Sequence, residues 1–426
     1  MQIIRYPSKD NWAGILQRPT IDNGMLRKQV GKIIADVRKT GDRSLKRYSK
    51  KFDGVDLKKL AVGQKEILAA EKNISDSLKL AINIAIQNIK RFHSIQVEEI
   101  KKIETMDGVE CWRRPTPMRR VGLYIPGGSA PLFSSVLMLG IPAQIAECSE
   151  VVLCTPPAKD GSIHPAILYA AQKVGVTEIY RSGGAQAIAA MAYGTGSIKK
   201  VDKIFGPGNQ YVTAAKQLVQ MDGIAIDMPA GPSEVCVLAD NTANPEFVAA
   251  DLLSQAEHGP DSQVLLVTND ETLIEKTIKS LNAQLALLER KEIALKALDN
   301  SKAVLINSMD DAMELVNEYA AEHLIIASNN AQHYGAKVIN AGSVFLGNFT
   351  PESAGDYASG TNHTLPTNGY ARAYSGVSVD SFVKKITFQQ ISKTGIQQIG
   401  KTIIAMAEAE GLDAHANAVK IRLNQL

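Results

Sequence analysis

Val121-Gly-Leu-Tyr-Ile125, running directly into Pro126-Gly-Gly-Ser129, decides how the fold is read. A short apolar, β-rich run bounded by glycine and proline reads as a buried strand. The same texture recurs further along: strands are expected at 151–155, 178–181 and 201–205, with helices near 134–146, 164–174, 185–193 and 209–220. Strands that alternate with helices form a parallel sheet covered by helices. The pattern then restarts, with strands expected at 235–239, 264–268, 303–306, 323–327 and 343–346. The expected fold is therefore α/β, with two tandem, incomplete Rossmann-like parallel sheets.

The flanks read as helix. Residues 25–40 and 64–97 carry apolar residues at three-to-four spacing, with Ile67, Leu68, Leu78, Ala81, Ile82, Ala85 and Ile89 expected to face inward. His93, near the end of the long helix, reads as a surface or capping residue. Beyond residue 378, segments 386–390 and 396–409 are amphipathic and suggest a small helical C-terminal domain.

A chain of 426 residues exceeds one core of ordinary size, so roughly two or three domains are expected. Hydrophobic residues at 45% and charged residues at 21% are globular values. Lys and Arg number 47 against 44 Asp and Glu, and the basic residues are scattered, which disfavours a nucleic-acid partner. No apolar run approaches the roughly 18 residues of a membrane span, and the start lacks the layout of a signal peptide. A soluble cytoplasmic protein is the expectation. Cys111, Cys148, Cys154 and Cys236 show no C-x-x-C spacing, so neither a disulfide framework nor a zinc knuckle is indicated. Cys154 and Cys236 lie in strand-like runs and read as buried, inert thiols.

Ligands of open α/β sheets bind beyond the carboxyl ends of strands. Three glycine-rich turns stand there: 126–129, Gly183-Gly-Ala-Gln186 and Gly206-Pro-Gly-Asn209. Each alone is ordinary turn chemistry; three on one sheet edge suggest a nucleotide site. In Ser254-Gln-Ala-Glu-His-Gly-Pro-Asp261, Gln255 and His258 are three apart and share a helix face, just before Gly259 and Pro260 stop the helix. Alone, that pair reads better as an exposed polar helix end than as a metal site. Glu322-His323 opens a strand and pairs an acid with a base suited to proton transfer, although such adjacency is common by chance. The stretch 351–366 reads as a polar loop carrying Asp356 and His363. Ser233, in 230–234, joins the two α/β units, where substrates commonly bind. His415, with Glu410 before it, reads as a half-buried residue of a late helix. Gln255, His258, Asp356 and His415 would form an N2O2 set suited to Zn2+ and exchangeable with Co2+ or Mn2+. His164 and His333 belong to no constellation and read as surface residues.

These residues carry a resemblance. The chain is similar to the histidinol dehydrogenase family along its length: V-G-L-Y-I-P-G-G-S-A-P-L at 121–132, G-G-A-Q-A-I-A at 183–189, F-G-P-G-N at 205–209, D-M-P-A-G-P-S-E at 227–234, Q-A-E-H-G at 255–259, E-H-L at 322–324, G-D-Y-A-S-G-T-N-H at 355–363 and L-D-A-H at 412–415. The resemblance implies one zinc per subunit, bound by Gln255, His258 and Asp356 with His415 from a second copy, and an intertwined homodimer with shared active sites. It implies substrate contacts from Ser233, His363 and Glu410 together with Gln255, His258, Glu322, Asp356 and His415. Tyr124, Gln186 and Asn209 would line the NAD site. L-histidinol would be oxidised through L-histidinaldehyde to L-histidine, with His323 and Glu322 catalytic. The expected division is an arm over 1–22 and a first α/β domain over 23–120 and 234–377, with a helical N-terminal part and the zinc and catalytic residues. A second, Rossmann-like domain over 121–233 would hold NAD, and a C-terminal helical domain over 378–426 would reach the partner's site.

Three other readings use the same residues. A sibling oxidising a small sulfonated diol would need a cation where Glu410 stands. A zinc hydrolase would leave the glycine-rich turns without a purpose, and a non-catalytic nucleotide-binding module would leave the acid, base and metal set without one.

Overall fold

The alternation that begins at residue 121 builds two parallel sheets. The computed structural model describes residues 1–18, 23–127 and 131–426. Part of the N-terminal arm (19–22) and the Gly128-Ser129 half of the first glycine-rich turn lie outside the described residues. In chain order the strands are β1 (Gln2–Arg5), β2 (Lys102–Met106), β3 (Val109–Pro117), β4 (Arg120–Tyr124), β5 (Glu150–Thr155), β6 (Glu178–Arg181) and β7 (Lys203–Phe205). They continue as β8 (Ala225–Ile226), β9 (Glu234–Ala239), β10 (Gln263–Thr268), β11 (Lys302–Leu305), β12 (His323–Ala327), β13 (Ser343–Leu346) and β14 (Val383–Ile391).

The first sheet has the order β6-β5-β4-β7-β8 and the second β1-β11-β10-β9-β12-β13, all pairs parallel. Counted from the first strand of each repeat, both run 3-2-1-4-5, a Rossmann order lacking its sixth strand. The second sheet gains β1 at its edge instead. Strands in such sheets are covered on both faces, and all residues of β4, β9, β10 and β12 are buried. Alternate residues feed opposite cores: Val121 and Leu123 one, Tyr124 the other; Val235 and Val237 one, Cys236 and Leu238 the other.

The flanks depart from the sequence reading. Residues 102–117 are strands β2 and β3, and β14 replaces the expected helix at 386–390. These three form a separate antiparallel sheet, with Trp112 stacked on Phe388 at 5.4 Å. The apolar positions Val383, Ile386 and Phe388 fit either period, and pairing with distant β3 decides for strand. Two helices, Lys393–Ala409 and Asp413–Leu423, follow and complete the small C-terminal unit.

The helices Asn23–Thr40 and Asp76–Ser94 pack on helices Gly184–Tyr193 and Phe133–Ile145 of the five-stranded sheet. Their grouping with residues 234–377 therefore does not describe their packing. Periodicity shows that a helix has an apolar face but not which sheet covers it. Ile82, Ala85 and Ile89 face inward as expected, whereas Leu68 and Ala81 are exposed. His93 is a correction too: it is fully buried, its Nδ1 2.9 Å from the Ile89 carbonyl, and burial lowers its pKa. Among the described residues, no helix is long and apolar enough to cross a membrane.

Candidate active site

In a βαβ repeat the helix returns the chain to the amino end of the sheet, so helix ends and strand starts meet there. Helix Pro245–Ala256 begins with Pro245 and an Asn244 cap that accepts from Glu246 N at 2.9 Å. It ends with Gln255 buried and His258 just beyond, at the start of the turn into β10. Central strand β12 begins at the same end, with Glu322 and His323 both buried. The site therefore joins the amino ends of β9 and β12 to the carboxyl ends of β4 and β7. Only the latter follows the rule used on the sequence.

The stretch expected as a polar loop contains a short helix, Glu352–Tyr357. That helix places Glu352 and Asp356 four apart on one face, so two carboxyls enter the site rather than one. Glu352 was not singled out in the sequence. Its signal was the spacing to Asp356, which has meaning only once the segment is known to be helical.

One imidazole sits among three carboxyls. His323 Nδ1 lies 3.6 Å from Glu322 Oε2, 3.9 Å from Glu352 Oε1 and 3.4 Å from the Glu234 carbonyl, and its Nε2 lies 3.6 Å from Asp356 Oδ1. Glu322 Oε2 accepts from Glu234 N at 3.0 Å. With its amide oriented to satisfy both ends, Gln255 donates to Glu352 Oε1 and accepts from Glu234 N at 3.0 Å. Glu234 is itself held by Arg18, whose Nε and Nη2 donate to its two oxygens at 2.6 and 2.9 Å. His363 bridges the two units, its Nε2 3.0 Å from Ser135 Oγ and its Nδ1 2.9 Å from the Asp356 carbonyl.

Burial raises both Glu322 and Glu352 to about 8. Burial alone would lower His323, but Glu352, Glu322 and Asp356 outweigh it and raise the imidazole to about 10. Raised this far, Glu322 and Glu352 hold protons at neutral pH while Asp356 faces the imidazolium, and a cation bound here would take the place of those protons. Two further observations fit a metal ion. The ligand atoms of His258, Glu352 and Asp356 lie within 4.8 Å of one another. Glu352 Oε2, Asp356 Oδ1 and His323 Nε2 are buried without a hydrogen-bond partner. Imidazole nitrogen with carboxylate oxygen suits zinc.

These groups line a cavity of about 690 Å3. Ser233, Gln255, His258, Glu322, Asp356 and His363 all border it, as does His323. Its far wall is Pro126, Gly127, Pro207, Gly208 and Asn209, the glycine-rich turns after β4 and β7. Asn209 also caps the following helix, its Oδ1 accepting from Tyr211 N and Val212 N at 3.1 and 3.2 Å. Tyr124 and Gln186 are buried behind that wall and do not border the cavity; the Tyr124 hydroxyl accepts from Gly184 N at 3.0 Å. Glu410 and His415 also lie outside it, exposed on the C-terminal unit, so the expected half-buried setting of His415 is not found. No cysteine borders the cavity among the described residues; Cys154 and Cys236 are buried, and burial pushes their thiols up. His164 caps a helix, its Nδ1 accepting from Ala166 N at 3.2 Å, and His333 is exposed.

A sequence profile of the histidinol dehydrogenase family matches residues 16–423. The chain belongs to the histidinol dehydrogenase family. It is 61% identical to the histidinol dehydrogenase of Bacteroides thetaiotaomicron over 426 residues, covering all of both chains. Against that of Xanthomonas euvesicatoria it is 54% identical over 398 residues, which covers 93% of this chain and 92% of that one. A crystal structure of histidinol dehydrogenase from Elizabethkingia anophelis matches with a TM-score of 0.97 at 56% identity, covering 100% of this chain and 98% of that one. Histidinol dehydrogenases catalyse the two-step, NAD-dependent oxidation of histidinol to histidine in histidine biosynthesis and depend on zinc. The chain is an oxidoreductase of that type.

Proposed function

We propose that the cavity is the active site for both oxidations of L-histidinol, with His323 and Glu322 as its proton-transfer residues. The observation that carries this reading is the position of His323, buried among carboxyls with Nε2 unpartnered, at the wall of the cavity that the glycine-rich turns close. Gln255, His258 and Asp356 would hold zinc, joined by His415 of a second copy, and Asn209 with the nearby Tyr124 and Gln186 would form the NAD side. A zinc ion held there would fix the substrate in place beside His323, and NAD would accept the hydride at each oxidation.

The acceptors around Nδ1 hold a proton there, and once a cation offsets the carboxyls that raise the imidazole, Nε2 is free to take the alcohol proton in the first oxidation. Glu322 takes a proton from the water that adds to the aldehyde while His323 Nε2 returns the first proton to the aldehyde oxygen, and Nε2, free again, takes the proton of the hydrate in the second oxidation. Ser233 and His363 line the substrate side.

The shared-site dimer is part of this reading. Glu410 and His415 are exposed on a unit attached through β14, well placed to serve a neighbouring copy rather than their own cavity. Glu410 would face the substrate's ammonium group. Mixing inactive His415→Ala with inactive His323→Asn under subunit exchange tests this. A shared site restores about a quarter of parent turnover, because one site in four combines the intact halves; a self-contained site restores none.

A further inference from the structure

We infer that the buried Lys216–Asp227 ion pair is a positioning device for the glycine-rich turn at 206–209, and that it sets the affinity for NAD; this rests on the turn being the NAD side of the cavity. Strand β7 ends at Phe205, and the next residue leaves the sheet, so the peptide groups of Gly206 have no ladder partner. The pair supplies both. Asp227 Oδ2 accepts from Gly206 N at 2.8 Å, and Lys216 Nζ donates to the Gly206 carbonyl at 2.9 Å while pairing with Asp227 Oδ1. The side chains are 5% and 1% exposed.

Gly206 can be held there only as glycine. Its φ is +126°, and a Cβ would stand 2.0 Å from the Tyr124 carbonyl oxygen. Pro207, Gly208 and Asn209 then leave this fixed point and form the cavity wall. Asp227 also accepts from Met228 N at 2.7 Å, at the start of the segment that crosses to Ser233 and β9. One ion pair therefore joins the cofactor turn, the helix Gln210–Met221 that follows it and the crossing to the catalytic sheet. A buried ion pair contributes little net stability compared with apolar residues of similar volume, so stability alone does not account for this one. Positioning does, since backbone groups of a glycine-rich turn contact a bound nucleotide closely only while the turn is held in place before binding.

The test compares Lys216→Met, Lys216→Met/Asp227→Asn and, as a direct probe of the wall, Asn209→Ala, each in the full-length protein with histidinol and NAD. The expected result for both pair variants is a KM for NAD raised about tenfold or more, with kcat and the KM for histidinol changed less than about threefold. A rise with Asn209→Ala but none with the pair variants overturns the inference and leaves the NAD site standing. No rise with any of the three overturns the site reading as well. Loss of folding in both pair variants, or an equal loss in kcat and both KM values, makes the pair merely structural and also overturns the inference.

Discussion

Replacing Glu352 with Gln tests whether this buried carboxyl shapes the metal site. Glu352 Oε1 accepts the Gln255 amide N–H, and its Oε2 is buried without a partner beside His258 and Asp356. The substitution keeps the volume but replaces an acid that ionises when a cation binds beside it with a neutral amide. A hydrogen bond to a charged group contributes about 1.5–3 kcal/mol and a neutral one about 0.5–1.5 kcal/mol, so roughly 1–1.5 kcal/mol is lost. At about 1.4 kcal/mol per tenfold, zinc affinity should fall about tenfold, within the range seen when groups that orient metal ligands are removed. Competition against a chromophoric chelator reads this directly, without turnover. A folded variant whose zinc affinity stays within about threefold of the parent would refute the reasoning.

His323→Asn should lower kcat by about 100-fold or more while the KM for histidinol moves little; a dominant KM effect would make His323 a binding residue. Glu322→Gln should slow oxidation of added histidinaldehyde far more than formation of the first NADH, and equal losses in rapid-mixing experiments would contradict its role with water. At the amino end of the first sheet, buried Arg120 donates to Glu178 at 2.9 and 3.0 Å and also pairs with Glu150. Arg120 holds both carboxyls below their usual pKa. A depressed folded-state pKa gives stability that is present above the unfolded value and lost as pH falls through the folded one. The melting temperature should therefore drop as pH falls below about 4.3, and Arg120→Met should shrink that drop and lower the melting temperature at neutral pH. An unchanged acid limb in the variant would contradict the assignment.

Much of the fold was legible because both parallel sheets are buried on two faces and their strands read as apolar runs, several of them ending in glycine or proline in the first sheet. The strands β3 and β14 were not, since a half-exposed strand with apolar residues at mixed spacing is specified by its partner, here more than 250 residues away. The site was legible in fragments. Gln255 and His258 announced a shared face by their spacing, and Glu322-His323 an acid beside a base. That the two pairs meet follows only from the chain returning to the amino ends of β10 and β12, which flank β9. Glu352 was hidden because its segment looked like a loop. The Lys216–Asp227 pair was hidden because neither residue has a local signature. His93 shows the opposite failure, a polar residue whose burial depends on packing between units.

The count of NADH per substrate tests the central claim most directly. With zinc-loaded protein, excess NAD and limiting L-histidinol, the absorbance should rise to two NADH per histidinol with L-histidine as the product. One NADH with histidinaldehyde left in solution, or none, would contradict a single cavity that carries out both oxidations.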